Sequence, residues 1–301
     1  MSQPAIHAER LCKYFRSNEA LKDMSFSVPT GSIYGLLGPN GAGKTTTIKI
    51  LMNLLAASSG RAEVLGYPSH KLNWRAFRRI GYVSENQKLP EEMSVSELIA
   101  YLKPFYPTWD AKLGEELLAQ LDLPADRKLK DLSRGMKMKA ALLSSLIFRP
   151  ELLVLDEPFS GLDPVVREDF TKGLLGSVAD SNGTVLMSSQ DVEEVERLCD
   201  WIGIMKPGCL LISEPLDQLL RRFRRVEITL TAGEASKIDW GSKVVQAEHS
   251  GTTVNLVHQE FAGEATLKEL QERFLQGSTT EDFPMTLREI YLAVARVRAN
   301  S

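Results

Sequence analysis

Gly38-Pro39-Asn40-Gly41-Ala42-Gly43-Lys44-Thr45-Thr46 constrains this chain more than any other stretch. It satisfies the phosphate-binding pattern G-x-x-x-x-G-K-[ST], with Gly38, Gly43, Lys44 and Thr45 at the required positions. The apolar run Ile33-Tyr34-Gly35-Leu36-Leu37 enters it as a buried strand would. Ile48, Leu51, Met52 and Leu55 leave it at helical spacing, which predicts a helix on the far side. Strand, glycine loop and helix in that order form an anion cradle. Glycines let backbone N–H groups turn inward, and the helix adds its partially positive N-terminus. Lys44 contributes a full charge and the Thr45 hydroxyl can ligate Mg²⁺. A glycine-rich turn beside a surface lysine is the bland alternative, and both flanks argue against it.

A second short apolar run, Glu151-Leu152-Leu153-Val154-Leu155-Asp156-Glu157-Pro158, ends in two acids. Continuous apolar strands are those covered on both faces, as in a parallel sheet. Ligands of such sheets sit at the carboxyl ends of the strands, which places Asp156 and Glu157 beside the glycine loop. Asp156 then suits a hard cation, and Glu157 can polarise an attacking water. Leu132-Ser133-Arg134-Gly135-Met136 stands upstream and Ser160-Gly161-Leu162-Asp163 downstream. Ser133 is read as the cap of a helix that begins near Met136 and stops at Pro150.

With these motifs the chain resembles the ATP-binding-cassette (ABC) ATPases, over about Ile6 to Leu219 and with the motifs in family order. The family signature LSGGQ is LSRGM here. The resemblance implies an α/β fold: a P-loop NTPase cassette with a RecA-like parallel-sheet core, an antiparallel β subdomain and an inserted helical subdomain. It implies ATP and Mg²⁺ as cofactors, with residues Gly38 to Thr46 around the phosphates and Thr45, Glu85 and Asp156 at the metal. Glu157 and Gln190 fall at the γ-phosphate, and Phe15 falls where an aromatic stacks on adenine. Tyr14 is the alternative to Phe15, and a core aromatic is the bland reading. Ser133, Gly135 and Asp163 are the further nucleotide-contacting positions, the signature closing over ATP held by a second cassette subunit.

Two positions depart from the common pattern. Glu85 stands where a glutamine is frequent, and a carboxylate also offers oxygen to Mg²⁺. Gln190 stands where a histidine usually contacts the γ-phosphate; its amide can donate a hydrogen bond but cannot become cationic. Such a loss is worth about 1–3 kcal/mol in the transition state, so the expectation is a slow ATPase.

The rest of the chain sets the organisation. Residues 1–225 are read as the nucleotide-binding domain, with a helical insert from about Asn86 to Pro150 that the family uses against a membrane partner. Ser94 to Glu97 is a capping-box pattern, Pro104 interrupts the helix it opens, and Asp110 can cap the next. Asp163-Pro164 and Asp191 open two more helices. From residue 226 the pattern changes. Alternating Val226, Ile228 and Leu230, then Val254 and Leu256, predict half-buried strands. Thr266 to Glu269 and Thr286 to Glu289 are read as capping boxes of two helices, giving a small accessory α+β domain over 226–301. The basic run Arg221 to Arg225 at the junction reads as a solvated helix end.

Composition restricts the partners. The formal charge of −3, from 36 Lys+Arg and 39 Asp+Glu, gives no general attachment to nucleic acid. No apolar run approaches the roughly 20 residues that span a bilayer. The N-terminus lacks the apolar core of a secretory signal, and Cys12, Cys199 and Cys209 show no metal-ligand spacing. The expectation is a peripheral protein at the cytoplasmic face of the membrane. It would be an ATPase subunit acting on a separate transmembrane permease, for export. The rival readings are a soluble, non-transport ABC ATPase and a weakly hydrolysing regulatory subunit of a heterodimer.

Overall fold

The computed structural model describes residues 3–85, 87–181, 183–229, 240–273 and 279–297. Asn86 and Leu230 therefore lie outside the described residues. In chain order β1 (Ile6–Phe15) and β2 (Asn18–Val28) precede β3 (Ile33–Leu37), the glycine loop and α1 (Lys44–Leu51). Then come β4 (Ser59–Val64), β5 (Tyr67–Pro68), α2 (Trp74–Phe77) and β6 (Ile80–Ser84). Helices α3 (Val95–Leu102), α4 (Ala111–Gln120) and α5 (Arg134–Leu146) lead to β7 (Leu152–Asp156) and α6 (Pro164–Ser181). After β8 (Thr184–Ser189) follow α7 (Val192–Leu198), β9 (Trp201–Lys206), β10 (Cys209–Pro215) and α8 (Leu216–Arg222). The last elements are β11 (Arg224–Thr229), β12 (Val244–Ser250), β13 (Thr253–His258), α9 (Glu264–Arg273), β14 (Thr279–Pro284) and α10 (Leu287–Val297).

The chain divides into two compact units, Met1–Asp191 with Leu198–Ser213, and Val192–Arg197 with Glu214–Ser301. The first contains an antiparallel sheet in the order β2-β1-β4-β5 and a larger sheet in the order β10-β9-β3-β8-β7-β6. The larger sheet is parallel from β9 through β3, β8 and β7 to β6. Every residue of β7 and β8 is buried, as a doubly covered strand requires. Leu36, Ile48, Leu51, Val154 and Leu186 share one core with the hydrophobic face of the antiparallel sheet. Each such side chain contributes roughly 1.5–3 kcal/mol by leaving water.

The register aligns the functional ends. Leu37 pairs with Ser189, Ser188 with Asp156, and Asp156 with Ser84, so four strands finish in one row. The glycine loop, the two acids, Gln190 and Glu85 all emerge from that row.

Helix boundaries refine the sequence reading at three places. α1 ends at Leu51, so Leu55 packs on the core from outside the helix. α5 begins at Arg134, earlier than Met136, because Ser133 accepts a hydrogen bond from the Met136 N–H (3.2 Å) as its N-cap. The capping box expected at Thr266 is absent: α9 starts at Glu264, and the Thr266 hydroxyl accepts from the Ala262 N–H instead (2.9 Å). The boxes at Ser94–Glu97 and Thr286–Glu289 do form, and Asp110 and Asp163 cap α4 and α6.

In the second unit the sheet order is β12-β13-β11-β14, all antiparallel. Val226, Ile228, Val254, Leu256 and Leu270 form its core. The basic run is not simply a solvated helix end. Arg222 hydrogen-bonds to Glu214 and donates to the Gln259 carbonyl (2.7 Å), while Arg224 and Arg225 already belong to β11. Among the described residues no helix is long and apolar enough to cross a membrane.

Candidate functional site

Gly43 makes the turn into α1. Its φ of 103° is left-handed, and a Cβ there would stand 2.6 Å from Leu21 Cδ2, so a side chain is excluded twice over. As N-cap it supplies no side chain to the first turn of α1, leaving those amides for an anion. The loop is held by Gly38 N–H donating to the Ser189 carbonyl (3.2 Å) and Gly208 N–H donating to the Ala42 carbonyl (3.0 Å). The first of these bonds sets Gln190, which is exposed, next to the start of the loop.

Lys44 is 4% exposed, and its ammonium donates to the carbonyls of Gly38 (2.6 Å) and Pro39 (3.1 Å). It also lies 2.9 Å from Glu157 Oε1. That oxygen is buried and takes no hydrogen bond, so the pair is close in distance but off the hydrogen-bonding direction. Glu157 thus presents a charge-compensated yet unsatisfied acceptor beside the phosphate loop. Its backbone has φ 50°, a left-handed conformation that costs a non-glycine residue about 1–3 kcal/mol. Ser188 holds it there by accepting from the Glu157 N–H (2.9 Å).

Asp156 is buried at the end of β7. Its Oδ1 accepts from Thr45 Oγ1 (2.9 Å) and from Ser188 Oγ (2.8 Å). Thr45 and Asp156 therefore place two oxygens together that could hold a hard cation such as Mg²⁺, which takes one or two protein oxygens and completes its shell with phosphate and water. Glu85 starts beside them, its N–H donating to the Asp156 carbonyl (3.0 Å). Its side chain, however, is engaged elsewhere: Oε1 accepts from Arg134 Nη2 (3.0 Å) and Ser160 Oγ (2.8 Å). Desolvation, then the nearby Asp156 charge, push the Tyr82 hydroxyl above its ordinary pKa, so this phenol stays neutral.

A cleft of about 400 Å³ joins Phe15, residues 40–46, Glu85 and Glu157. Phe15 is 45% exposed with Lys13 Nζ 5.1 Å from its ring centre, which rules out the core reading. Tyr14 does not line the cleft; its hydroxyl donates to Glu19 (2.8 Å). Ser133, Gly135 and Asp163 do not line it either, and the Ser133 hydroxyl and Asp163 carboxylate are taken up in capping α5 and α6. Sequence reasoning missed Glu19, Pro207 and Gly208 in the cleft wall, and Ser188 beneath the acids. Ser188 carried a weak signal, one of two adjacent serines ending the apolar run Val185-Leu186-Met187.

The sequence model of one family, described as ABC transporter, matches residues 21–160. The chain is 28% identical over 295 residues to the ABC transporter ATP-binding protein YtrB of Bacillus subtilis, covering 96% of this chain and 97% of that one. It is 32% identical over 234 residues to the uncharacterized ABC transporter ATP-binding protein MJ1023 of Methanocaldococcus jannaschii, covering 75% and 83%. With the bacitracin transport ATP-binding protein BcrA of Bacillus licheniformis it shares 33% identity over 222 residues, covering 73% and 72%. A solved ATP-binding subunit of an ABC transporter superposes with a TM-score of 0.65 at 27% identity, over 72% of this chain and 92% of the other.

Proposed function

The chain belongs to the ABC transporter ATP-binding proteins, and from that membership we propose that it hydrolyses Mg-ATP between two cassette subunits to drive a separate membrane-spanning permease. The observation that carries this is the convergence of Lys44, Thr45 and Glu157 on one cleft, with Asp156 hydrogen-bonded to Thr45 and Glu157 Oε1 left as an unsatisfied acceptor.

Each residue has a task the geometry supports. Lys44 exchanges its carbonyl partners for phosphate oxygens, and the loop amides of residues 41–46 surround them. Phe15 offers a flat face for the base. Thr45 and Asp156 would hold magnesium, which would supply neutralisation of the phosphate charge. Glu157 accepts a hydrogen bond from the attacking water through Oε1 and orients it, with Lys44 2.9 Å from the same oxygen. Gln190 donates to the γ-phosphate in place of a cation, which supports slow turnover. Ser133, Gly135 and Asp163, outside their own cleft, are read as serving ATP in the second cassette. The same Gln190 favours a second reading, a weakly hydrolysing member of a heterodimer.

Residues 1–225 are read as the cassette with its helical insert over about 86–150, and 226–301 as the accessory domain. One relative's name supports export, the Nod factor export ATP-binding protein I of Neorhizobium galegae, 36% identical over 216 residues. The place proposed for the chain is the cytoplasmic face of the membrane, through its permease.

Glu157→Gln tests the whole assignment. The variant should bind ATP, stall before hydrolysis and accumulate as an ATP-dependent dimer by light scattering. Adding Ser133→Arg should disperse that dimer. Hydrolysis at the wild-type rate by Glu157→Gln removes Glu157 from the reaction.

A further inference from the structure

Three loops meet at the guanidinium of Arg134, the first residue of α5. Arg134 Nη2 reaches Glu85 Oε1, at the end of β6, over 3.0 Å. Ser160, after β7, donates to the same oxygen over 2.8 Å. Gly161 lies directly under the guanidinium, since a Cβ there would stand 2.8 Å from Nη1 and 3.1 Å from Cζ. The first turns of α5 and α6 are in contact too: a Cβ on Gly135 would stand 3.1 Å from Val166 Cγ1. The segment ahead of the helical insert, the signature turn and the loop before α6 are thus joined through one ion pair.

Neither partner is the residue common at its position. A glycine at 134 and a glutamine at 85 could form no ion pair, whereas arginine and glutamate form a charge-assisted one. The Glu85 carboxylate also borders the cleft, and its N–H is fixed to the Asp156 carbonyl. It therefore has two opposite charges within reach, the guanidinium on one side and a metal at Thr45 and Asp156 on the other.

We propose that Glu85 and Arg134 form a latch within the subunit: Arg134 holds the carboxylate at the signature turn, and Mg-ATP in the same cleft draws it to the metal side. Release of Arg134 then frees the turn that carries Ser133 and Gly135 on either side of it as nucleotide arrives. Arg134 is in this sense a positioning residue, linking metal loading of one cleft to the surface offered to the second cassette. The proposal rests on the Mg-ATP reading of the cleft. The latch is partly exposed (side chains 55% and 37%), so it competes only modestly with a metal. Its removal should shift the metal equilibrium about two- to fivefold, as for other exposed pairs.

The test is a double-mutant cycle on the full chain. Mg²⁺ is titrated at fixed concentration of a fluorescent ATP analogue, and backbone amide exchange of residues 134–137 is measured without nucleotide. Arg134→Gln should lower the Mg²⁺ midpoint about two- to fivefold and speed exchange at the start of α5. Arg134→Lys should restore part of both. In the Glu85→Gln background, Arg134→Gln should change neither. A midpoint that Arg134→Gln leaves unmoved, or moves equally in the Glu85→Gln background, overturns the latch. Failure of the ATP site itself reads differently, as analogue binding that survives Lys44→Ala, while the nucleotide-free exchange cycle still reports the ion pair.

Discussion

Strands β7 and β8 of the first unit are buried at every residue, whereas β13 of the second alternates between buried and half-buried positions and β14 is exposed or half-exposed throughout. The first sheet is covered on both faces and its parallel strands end in one row, so polar groups at those ends are placed together by the register itself. The second sheet is antiparallel, so its strand ends alternate in direction and deliver no comparable row. What holds it together is a small apolar core of Val226, Ile228, Val254, Leu256 and Leu270. The contrast teaches that polar side chains gather where register forces strand termini together, and that a smaller, four-stranded sheet folds without such a row.

The sharpest way to break this comparison is Lys44→Ala. Removing the one buried ammonium of the phosphate loop leaves Glu157 without charge compensation and the phosphates without their counter-charge. Hydrolysis should fall to background and ATP affinity should drop by at least tenfold, since each charge-assisted bond is worth about 1.5–3 kcal/mol. Equilibrium binding and phosphate release on folded protein check it. Unchanged binding would detach the cleft from ATP.

Ile228→Ala addresses the other side. Ile228 is fully buried, and truncating such a residue typically costs 2–5 kcal/mol, about the stability of a small core. Amide exchange across residues 253–258 should accelerate accordingly, while ATP affinity stays within about twofold, because every residue lining the cleft belongs to the first unit. A parallel loss of ATP affinity would show the two units to be energetically inseparable.

How much of this was legible beforehand follows the same division. The phosphate loop, Asp156 and Glu157 could be read because their chemistry is local in sequence and their strands are continuous apolar runs. Glu85 and Gln190 were legible only as departures from a pattern. What could not be read is pairwise and long-range: Ser188 under both acids, and Arg134 on Glu85, join residues 32 and 49 positions apart. In the second unit β12 and β14 escaped notice because Gln246, Glu248, Glu281 and Asp282 give them no apolar alternation. Thr266 misled for a physical reason as well, since a threonine hydroxyl can accept from an amide on either side of a helix start.

Gln190→His sharpens the first unit by a smaller step. If the missing cationic contact limits turnover, the maximal ATPase rate should rise by up to about tenfold, equivalent to about 1.4 kcal/mol in the transition state. ATP affinity should change far less, because the loop and Lys44 hold the phosphates in the ground state as well. Steady-state kinetics at saturating Mg-ATP decide it. An unchanged rate in a folded variant would show that the site is built around glutamine and that Gln190 is not what limits it.

The smallest effect is expected from His258 in the second unit. The residue is 3% exposed, and burial pushes its pKa below the ordinary value, with Lys243 adding to the shift and Glu269 and Glu260 opposing it. Its Nδ1 accepts from the Glu260 N–H (3.2 Å), a bond that a proton on Nδ1 would abolish. Folding therefore favours the neutral ring. Above about pH 6.5 the ring is neutral in both folded and unfolded chains, and the full stability is present. As pH falls below that value the unfolded chain binds the proton first, so stability declines until the folded ring titrates too. One proton sets the limit, about 1.4 kcal/mol per pH unit. Amide exchange of β13 between pH 7.5 and 5.5, corrected for intrinsic rates, should show this decline. Replacing His258 with glutamine, which cannot gain a proton, should flatten it. A wild-type slope that survives in His258→Gln assigns the acid sensitivity to other groups, and the second unit then owes nothing of its pH response to this ring.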